Sequence, residues 1–475
     1  MWEVRSASVD PLPHIHPSLV FWCFSELASS HLKIPLLSFS ADTRFQKSIS
    51  FEITEPLDLS VATRASNPDD VSGLIQDIND LHAVFKDGGE ETRHELILKT
   101  RNLLHSLQTP RELMVQHTWA DPGLNAALIT DVDIGLWKLM VNNGADKPQR
   151  VGDLAEPLGV DPVLLGRLLR HVCAMGHLEE TAQDEYKLTS FSKSPSLDVI
   201  GDGYVTLLSG IGRSPIEFYK FLRATNWGNP TDVAQTAMLA AYVTDLPNCF
   251  EYLRSIGLGP QTNRHMGGYR QGRVPWMHPS LYPVEKTLFP DIDGSPGAPL
   301  VVDVAGGLGH DIDEFKKLYP NHPGVTVQKL ILQDLPVVIK DVKGIDPSIQ
   351  LMGHDFLTEQ PVKGAKAYFM HSIMHDWPDD VCRTILGRLA EAMQLRYSKL
   401  LIFEVVIPPT GDYWEATAGD ILMMTQLSAV ERTEEHWYQL IEGSGLNLKI
   451  VKFWKCGQSD VENLIECELV PPQGQ

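Results

Sequence analysis

Residues 301–309 read Val-Val-Asp-Val-Ala-Gly-Gly-Leu-Gly, an apolar strand pattern that runs into a glycine-rich turn. The next residues predict a helix, and a helix N-terminus offers unpaired backbone N–H groups to a ligand. Glycine lets the backbone approach a ligand closely because it has no side chain. Ile312 stands where a dinucleotide fingerprint has its third glycine, and acidic residues in the first helical turn would repel a pyrophosphate. The stretch therefore favours a ligand without phosphate at this point, with a simple tight turn as the alternative.

From residue 298 onward, the sequence alternates between strand and helix patterns. The clearest helix pattern covers residues 379–393, whose apolar residues recur on one face. The predicted strands are 300–304, 325–332, 349–352, 367–370, 400–403, 448–453 and 464–470. This alternation predicts an α/β fold, with a Rossmann-like, doubly wound and mostly parallel sheet, for a domain over residues 296–475.

The residues before this domain predict a mostly helical domain over residues 61–295. A helical stripe runs from Leu128 to Met140 as one element, and helix patterns follow at 151–158 and from Pro162. Two short strands, 178–181 and 185–188, then complete the order helix, helix, hairpin of a winged-helix unit. Such units commonly bind DNA, but the second helix has few basic residues, so a supporting structural module is the better interpretation. Residues 1–60 show no sustained period and are expected to form a poorly structured N-terminal extension.

Composition and charge narrow the function further. The 475 residues include 40 Lys and Arg against 61 Asp and Glu, a formal net charge of −21 at pH 7, which disfavours binding to a polyphosphate backbone. The 6 cysteines are scattered without a CxxC pair, so a disulfide framework or structural zinc site is not expected, and a reducing compartment is favoured. No apolar run reaches the roughly 18 residues of a membrane span. With no signal-peptide pattern either, we expect a cytoplasmic protein without a membrane partner.

Polar and aromatic residues follow successive predicted strands. Asp334 follows the second strand closely, at a place where a carboxylate can accept hydrogen bonds from ribose hydroxyls. Asp355 and Phe356 follow the third strand and suit an adenine amino group and ring. His375 follows the fourth strand, and a neutral imidazole there can take a proton from an acidic hydroxyl. Each residue alone is typical of a cap, a turn or a core, but their order along the strands favours a nucleotide-like ligand beside a base.

Two glutamates support the interpretation of His375 as a base. Glu404 interrupts the apolar run 400–407, where an unpaired carboxylate is costly to bury. Glu431 lies at the predicted start of a helix that contains Trp437, where stabilisation of the helix N-terminus is an equally good explanation. A carboxylate hydrogen-bonded to one ring nitrogen would fix the tautomer and make the other nitrogen a better base.

Together, these motifs resemble those of the plant- and fungal-type S-adenosylmethionine-dependent O-methyltransferases. The resemblance covers residues 110–470 and rests on ordered motifs, which are VVDVAGGLG (301–309), QDLP (333–336), HDF (354–356), HDWPDD (375–380), FEVVIP (403–408) and AVERTE (429–434). It implies S-adenosylmethionine as the cofactor, no metal, and a homodimer that packs its helical domains together through helices between residues 69 and 139.

The resemblance also implies roles for individual residues. The matched positions are Gly306, Gly307 and Gly309 for the methionine portion of the cofactor, Asp334 for the ribose, Asp355 and Phe356 for the adenosine, and His375 as the general base flanked by Glu404 and Glu431. His371 stands where the family usually has lysine or arginine near the cofactor, so its charge at pH 7 is an open question. Ala305 replaces a glycine common in the family's turn.

The leading hypothesis is O-methylation of a phenolic or enolic hydroxyl on a small aromatic or polyketide-like metabolite. One alternative is an O-methyltransferase-like pericyclase or cyclase that retains the cofactor without methyl transfer, since fold alone does not fix the reaction. Another is a non-enzymatic, acidic winged-helix binding protein. The acceptor pocket is expected to be apolar, with Met370, Met374, Trp377, Met423, Met424, Trp437, Phe218 and Tyr219 as candidate lining residues.

Overall fold

A computed structural model describes residues 57–295, 298–320, 322, 325, 329–456 and 461–471. Residues 1–56 of the predicted N-terminal extension lie outside these ranges. The chain from Leu59 onward forms one compact unit. Within the described residues, no helix is both long enough and apolar enough to cross a bilayer.

Helices make up most of the structure before residue 288. They are α1 (Val71–Val84), α2 (Gly89–Leu107), α3 (Pro110–Val115), α4 (Asp121–Asp133), α5 (Leu136–Gly144), α6 (Val151–Leu158), α7 (Pro162–Ala174), α8 (Ser190–Lys193), α9 (Asp198–Gly203), α10 (Arg213–Ala224), α11 (Ala237–Tyr242), α12 (Cys249–Ser255), α13 (Gly259–Gly268) and α14 (Val284–Thr287). Three short strands form a small sheet in the order β1-β3-β2, with bounds β1 (Gln149–Arg150), β2 (Leu178–Ala182) and β3 (Glu185–Leu188). Two segments, Gln116–Ala120 and Tyr204–Gly210, are π-helical.

The predicted order helix, helix, hairpin is present at α6, α7, β2 and β3. Asp161 caps α7, because its Oδ1 accepts hydrogen bonds from the backbone N–H groups of Val163 and Leu164 at 2.8 and 3.0 Å. The single helical stripe predicted from Leu128 to Met140 is wrong. The structure has two helices there, because Gly135 adopts a φ of 78° and turns the chain between α4 and α5.

The remaining chain builds the large sheet. Its strands are β4 (Val301–Val304), β5 (Leu330–Asp334), β6 (Gln350–Gly353), β7 (Ala367–His371), β8 (Lys399–Ile407), β9 (Arg432–Thr433), β10 (Leu448–Lys455) and β11 (Glu462–Leu469). Its helices are α15 (His310–Leu318), α16 (Pro336–Ile339), α17 (Asp379–Ala390), α18 (Trp414–Leu427) and α19 (Glu434–Ile441).

The order of the strands in the large sheet determines where the candidate site lies. The sheet runs β6-β5-β4-β7-β8-β11-β10, parallel from β6 to β8 and antiparallel at β11 and β10. The chain moves outward from β4 to β5 and β6, then returns to the other side of β4 with β7. In sheets of this type, ligands bind at the carboxyl ends of the strands where the order reverses. The glycine turn after β4 and the residues after β7 therefore share one crevice.

Apolar side chains cover both faces of the sheet, which is why its central strands read as continuous apolar runs. One core cluster includes Val302, Met370 and Ile402, and the other includes Val301, Phe369 and Leu401. Neighbouring residues of each strand thus point to opposite layers. This packing fixes the strand ends that carry the polar residues of the crevice.

Some predicted boundaries differ from the structure. The second strand begins at Leu330 rather than at residue 325, since the backbone is bent at both Val325 and Lys329. The strand predicted at 400–403 extends through Ile407, because β11 pairs with it as far as Val405 and β9 pairs with Val406 and Ile407. Glu431 precedes β9 and lies outside α19, so the helix-start explanation for this residue is wrong.

Candidate active site

The glycine turn after β4 is shaped by close packing on one side and open space on the other. A Cβ at Gly306 would lie 2.5 Å from the Asp303 side chain, and one at Gly309 would lie 2.6 Å from the Ile345 side chain. Gly307 has a φ of +59° and no heavy atom within 4 Å of the position that its Cβ would take. Ala305 also adopts a left-handed backbone, with a φ of 60°. The turn therefore presents bare backbone to the crevice.

Asp334 joins this turn to the end of β5. Its Oδ2 accepts a hydrogen bond from the Gly307 N–H at 2.8 Å, and its Oδ1 accepts one from the Leu335 N–H at 2.6 Å. Burial raises the pKa of Asp334, and these two hydrogen bonds oppose the rise. Each oxygen keeps a further lone pair that can accept a ligand hydroxyl.

Asp303 is a further candidate site residue, and the sequence analysis missed it. It is buried in β4, and neither of its carboxylate oxygens makes a hydrogen bond of normal geometry within the described part of the chain. Burial, with a further contribution from Asp311, raises the pKa of Asp303 well above its usual value. A buried carboxyl without partners beside the glycine turn fits a ligand that brings its own donor or positive charge. The signal was present in the sequence, because Asp303 interrupts an apolar strand as Glu404 does.

His371 at the end of β7 is held between two carboxylates. Its Nδ1 lies 2.7 Å from Asp311 Oδ2 and its Nε2 lies 3.1 Å from Glu462 Oε1. Burial lowers the pKa of His371, but Asp311 and Glu462 outweigh that effect and bring it to about 9. The imidazole is therefore positively charged at pH 7, as the lysine or arginine usual at this position would be.

Two arginines extend this ionic cluster. Arg270 Nη1 lies 3.1 Å from Asp311 Oδ1, and Arg273 Nη1 lies 3.1 Å from Glu462 Oε2. Arg273 also contacts Glu415 at the start of α18. Burial alone would raise the pKa of Glu462, but His371 and the arginines hold it far below its usual value. The segment after α13 is thus tied to the strand ends by buried charges.

His375 lies in a short 3-10 turn, Met374–Asp376, that follows β7. Its Nδ1 lies 2.8 Å from Glu431 Oε1 and 3.9 Å from Glu404 Oε2. The Oε1 of Glu404 accepts hydrogen bonds from the backbone N–H groups of Ile373 and Met374 at 2.9 and 2.7 Å. Glu404 thereby holds the backbone of the turn, while Glu431 holds the ring.

The charges around the ring set its proton affinity. Burial lowers the pKa of His375, but Glu404, Asp376 and Glu431 together raise it well above the usual value. Asp376 Oδ1 lies 3.5 Å from His375 Nε2, and burial raises the pKa of Asp376 to about 7. The imidazole side chain remains 14% exposed, so a ligand can reach it. The arrangement can hold a proton on Nδ1 and exchange one at Nε2.

Comparison with known proteins identifies the family. The O-methyltransferase domain family matches residues 284–447. The O-methyltransferase mfmE of Annulohypoxylon moriforme is 34% identical over 417 residues, which cover 86% of this chain and 97% of that protein. The chain belongs to the S-adenosylmethionine-dependent O-methyltransferases. The methyltransferase cfoC of Aspergillus candidus is also 34% identical, over 79% of this chain and 90% of that protein.

Solved structures resemble this O-methyltransferase over most of its length. LepI in complex with S-adenosylmethionine superposes with a TM-score of 0.74 at 26% identity, covering 85% of this chain and 100% of that one. A structure described as a pericyclic reaction enzyme gives 0.73 at 27% identity, with the same coverage of 85% and 100%. OxaC in complex with sinefungin and meleagrin gives 0.72 at 25% identity, covering 84% and 99%. The predicted family, enzyme class and cofactor, S-adenosylmethionine, are thus confirmed.

The structure brings the predicted residues of this O-methyltransferase to the carboxyl ends of the parallel strands. Phe356 is half-buried, and its ring meets that of Trp377 edge-on at 6.0 Å between centroids. Asp355 is exposed, and its Oδ1 accepts a hydrogen bond from the Leu357 N–H at 2.9 Å. The roles of Asp355 and Phe356 toward adenosine stay predictions.

His375, Glu404 and Glu431 also offer atoms that suit a metal ion. One ligand atom each from His375, Glu404 and Glu431 lies within 4.8 Å of the others. In this structure, however, the close pair is a hydrogen bond between His375 and Glu431. The prediction that the O-methyltransferase needs no metal rests on the predicted role of His375 as a base, and it stays a prediction.

The predicted acceptor lining is partly wrong. Met370, Met374 and Trp437 are fully buried in the core of the sheet layer, because that face of the sheet is covered by α17 and α19. A cavity of about 330 Å³ lies instead in the helical part, between α9, the π-helical segment and α13. Its lining is almost wholly apolar and consists of Val199, Ile200, Gly203, Tyr204, Leu207, Leu208, His265, Gly268 and Tyr269.

Proposed function

We propose that this O-methyltransferase methylates a phenolic or enolic hydroxyl of a small aromatic or polyketide-like metabolite, with His375 as the general base. The observation that carries the proposal is the 2.8 Å contact between His375 Nδ1 and Glu431 Oε1 at the carboxyl end of the parallel sheet. A carboxylate at Nδ1 requires the proton there, and so leaves the Nε2 lone pair of the neutral ring free for the acceptor.

The crevice fits the cofactor. The open side of Gly307 admits a ligand against the backbone, and the unpaired carboxylate of Asp303 suits the ammonium group of the methionine portion. Asp334 would accept hydrogen bonds from the ribose hydroxyls. When bound, S-adenosylmethionine supplies an electrophilic methyl group on a positively charged sulfur.

Residues of the chain accept the proton of the acceptor hydroxyl and stabilise the charge that results. His375 Nε2 accepts it from the acceptor hydroxyl as the oxygen forms its bond to the methyl carbon, and the products are a methyl ether and S-adenosylhomocysteine. Glu431 stabilises the imidazolium that results, because its carboxylate stays hydrogen-bonded to Nδ1. Glu404 keeps the turn in place by its two backbone hydrogen bonds.

The test is methyl transfer to a panel of phenols and enols by the wild type and by His375→Ala. General-base help contributes about 10²–10⁴-fold, so the variant should lose that factor in rate. Its affinity for S-adenosylmethionine by calorimetry should stay unchanged. His278→Ala is the matched control, since that histidine is exposed and its side chain bonds only to Ser280 among the contacts described. Equal rates for His375→Ala and the wild type would contradict the proposal.

A second candidate, a pericyclase or cyclase that retains the cofactor, has one observation in its favour. The solved structure described as a pericyclic reaction enzyme superposes on this chain with a TM-score of 0.73. Methyl transfer is favoured here because His375 keeps both carboxylates, whose arrangement serves proton removal. A rearrangement without a proton transfer has no need of them.

Assembly, domains and location complete the proposal. We propose a homodimer formed through the apolar helices near the start of the described chain. We propose a helical, winged-helix-containing domain over 61–295 followed by the catalytic domain at 296–475.

A cytoplasmic location is supported by the free cysteines of the described part of the chain, among them Cys249, Cys382 and Cys467, which are buried. The net charge of −21 supports a role without nucleic acid.

A further inference from the structure

Arg432 is a buried arginine beside the proposed base, and the proposed mechanism does not use it. Its side chain is 0% exposed. Its Nη1 donates a hydrogen bond to the Met374 carbonyl at 2.7 Å, and its Nη2 donates one to the Trp377 carbonyl at 2.8 Å. These two carbonyls lie on either side of His375 along the chain. A single guanidinium therefore holds the backbone before and after the base.

The charge of Arg432 is balanced by Asp379 at the start of α17. Asp379 Oδ1 accepts hydrogen bonds from Arg432 Nε at 3.1 Å and Nη2 at 2.9 Å, and its Oδ2 lies 2.9 Å from His436 Nε2. Burial alone would raise the pKa of Asp379, but the hydrogen bonds from His436 and Arg432 bring it below its usual value. Asp379 is therefore ionised at neutral pH, and Arg432 does not depend on Glu404 or Glu431 for a partner.

Glu431 and Arg432 are consecutive residues that contact different parts of the His375 turn. Glu431 binds the ring of His375, and the next residue, Arg432, binds the backbone on which that ring stands. Glu404 grips the same turn through the N–H groups of Ile373 and Met374. The turn is thus held through its carbonyls by a cation and through its N–H groups by an anion.

We propose that Arg432 is a positioning residue that fixes His375 against Glu431 by clamping the Met374 and Trp377 carbonyls. This inference rests on the proposed role of His375 as base. The planar guanidinium can reach two carbonyls and a carboxylate at once, whereas a lysine ammonium is a single point charge on a flexible stem. A displacement of about 1 Å in a reacting group can cost up to ~10²-fold in rate.

The test compares Arg432→Lys with Arg383→Lys as the matched control. Arg383 also pairs with Asp379, at 3.5 Å, but it is 46% exposed and makes no described contact with the turn. Arg432→Lys should lower kcat for methyl transfer by about 10–100-fold, with the KM for S-adenosylmethionine unchanged. NMR titration should show the pKa of His375 falling as its contact with Glu431 loosens, with Glu404 and Asp376 still facing the ring. Arg383→Lys should match the wild type in both measurements.

A purely structural arginine would give a different result. Arg432→Lys would then reduce the amount of folded protein. The kcat per folded, cofactor-binding molecule and the pKa of His375 would both equal those of the wild type. That outcome would overturn the inference. If Arg432→Lys does not fold, Asp379→Asn gives the same test, since it removes the partner that orients the guanidinium. It should shift kcat and the pKa of His375 in the same directions by smaller factors, and unchanged values would overturn the inference.

The two proposals fail separately. If His375→Ala methylates at the full rate, the proposed role of His375 as the base is wrong, while the NMR titration of the wild type and Arg432→Lys still measures whether Arg432 orients the imidazole. If His375→Ala is inactive but Arg432→Lys and Asp379→Asn behave as the wild type, only the positioning role is wrong.

Discussion

Three carboxyl groups surround the ring of His375, and their effect on its pKa is larger than a base acting at neutral pH needs. Glu404, Asp376 and Glu431 outweigh burial and raise the pKa of His375 well above its usual value. The ring accepts a proton only when it is neutral, so the fraction of active free enzyme must grow as pH rises through this pKa. The carboxylate of Glu431 keeps a proton on Nδ1. The same carboxylate, with its neighbours, also sets how strongly Nε2 binds a proton.

The pH profile of methyl transfer follows from these charges. We expect the acid limb of kcat/KM to lie above the ordinary histidine pKa of about 6.5. Glu431→Gln removes one negative charge that raises this pKa, so the limb should move to lower pH, while the plateau falls because the ring is less well oriented. Glu435→Gln is the control, as that glutamate is exposed on α19. An acid limb that stays in place in Glu431→Gln would remove Glu431 from the proton-transfer site.

Asp334 should matter for the cofactor rather than for proton transfer. Its carboxylate anchors the Gly307 N–H at 2.8 Å. Replacing it with alanine should weaken S-adenosylmethionine binding by about 1–3 kcal/mol, the range for a lost hydrogen bond to a charged group. Asp341→Ala, at an exposed position just beyond α16, should bind as the wild type does. Calorimetry that finds equal affinities for all three proteins would exclude Asp334 from the cofactor site.

At the scale of elements, buried charges join α15, β7 and β11. His371 at the end of β7 contacts Asp311 of α15 and Glu462 of β11, and the three groups lie far apart in the sequence. Its pKa of about 9 in the folded state lies above the value of about 6.5 expected for the unfolded chain. The stability that its charge contributes is therefore fully present below pH 6.5 and is lost as pH rises through about 9.

His371→Gln should reveal this pH dependence in the protein without cofactor. Urea unfolding should show the variant to be less stable near pH 6 by on the order of 3 kcal/mol beyond any difference that persists at alkaline pH. The gap should narrow as pH passes 9. His278→Gln, at an exposed site, should follow the wild type at every pH. A gap of constant size from acid to alkaline pH would show that His371 is not charged in the folded protein.

Local sequence patterns predict most of the helices and strands. They do not predict contacts between residues that lie far apart in the sequence. The glycine turn and the helix that begins at Pro162 depend on neighbouring residues, so the sequence alone predicts both. The break at Gly135 was missed because the apolar period continues across it. Asp303 was missed although it interrupts an apolar strand, which is a signal that the sequence does carry. The partners of His371, by contrast, lie 60 and 91 residues away in the chain. No periodicity or motif reports such pairings.

At the scale of the whole molecule, the first helices have no core of their own. No residue of α1 is buried, and the only buried residue of α2 is Ser106. Large apolar side chains are exposed throughout this region, namely Leu57, Leu59, Val61, Ile75, Val84, Phe85, Ile97, Leu98, Leu104, Leu107, Met114 and Trp119. An exposed apolar surface of this extent is typical of a protein interface.

We therefore expect light scattering at micromolar concentration to give twice the chain mass of 52.9 kDa. Trp119 is 72% exposed in this region, and Trp119→Glu should shift the protein toward monomer by placing a charge in the interface. Trp227→Glu is the matched control, because Trp227 is 64% exposed but lies after α10, outside the region. A particle of 52.9 kDa from the wild type would contradict the dimer.

The most direct test of the account follows the methyl group itself. The enzyme is supplied with its acceptor and with S-adenosylmethionine that carries a CD3 group, and the product is analysed by mass spectrometry. We predict that the product of the wild type carries the CD3 group on oxygen, and that His375→Ala forms this product more slowly by about 10²–10⁴-fold. A product formed at the full rate without the label would contradict methyl transfer and move the enzyme to the rearrangement class.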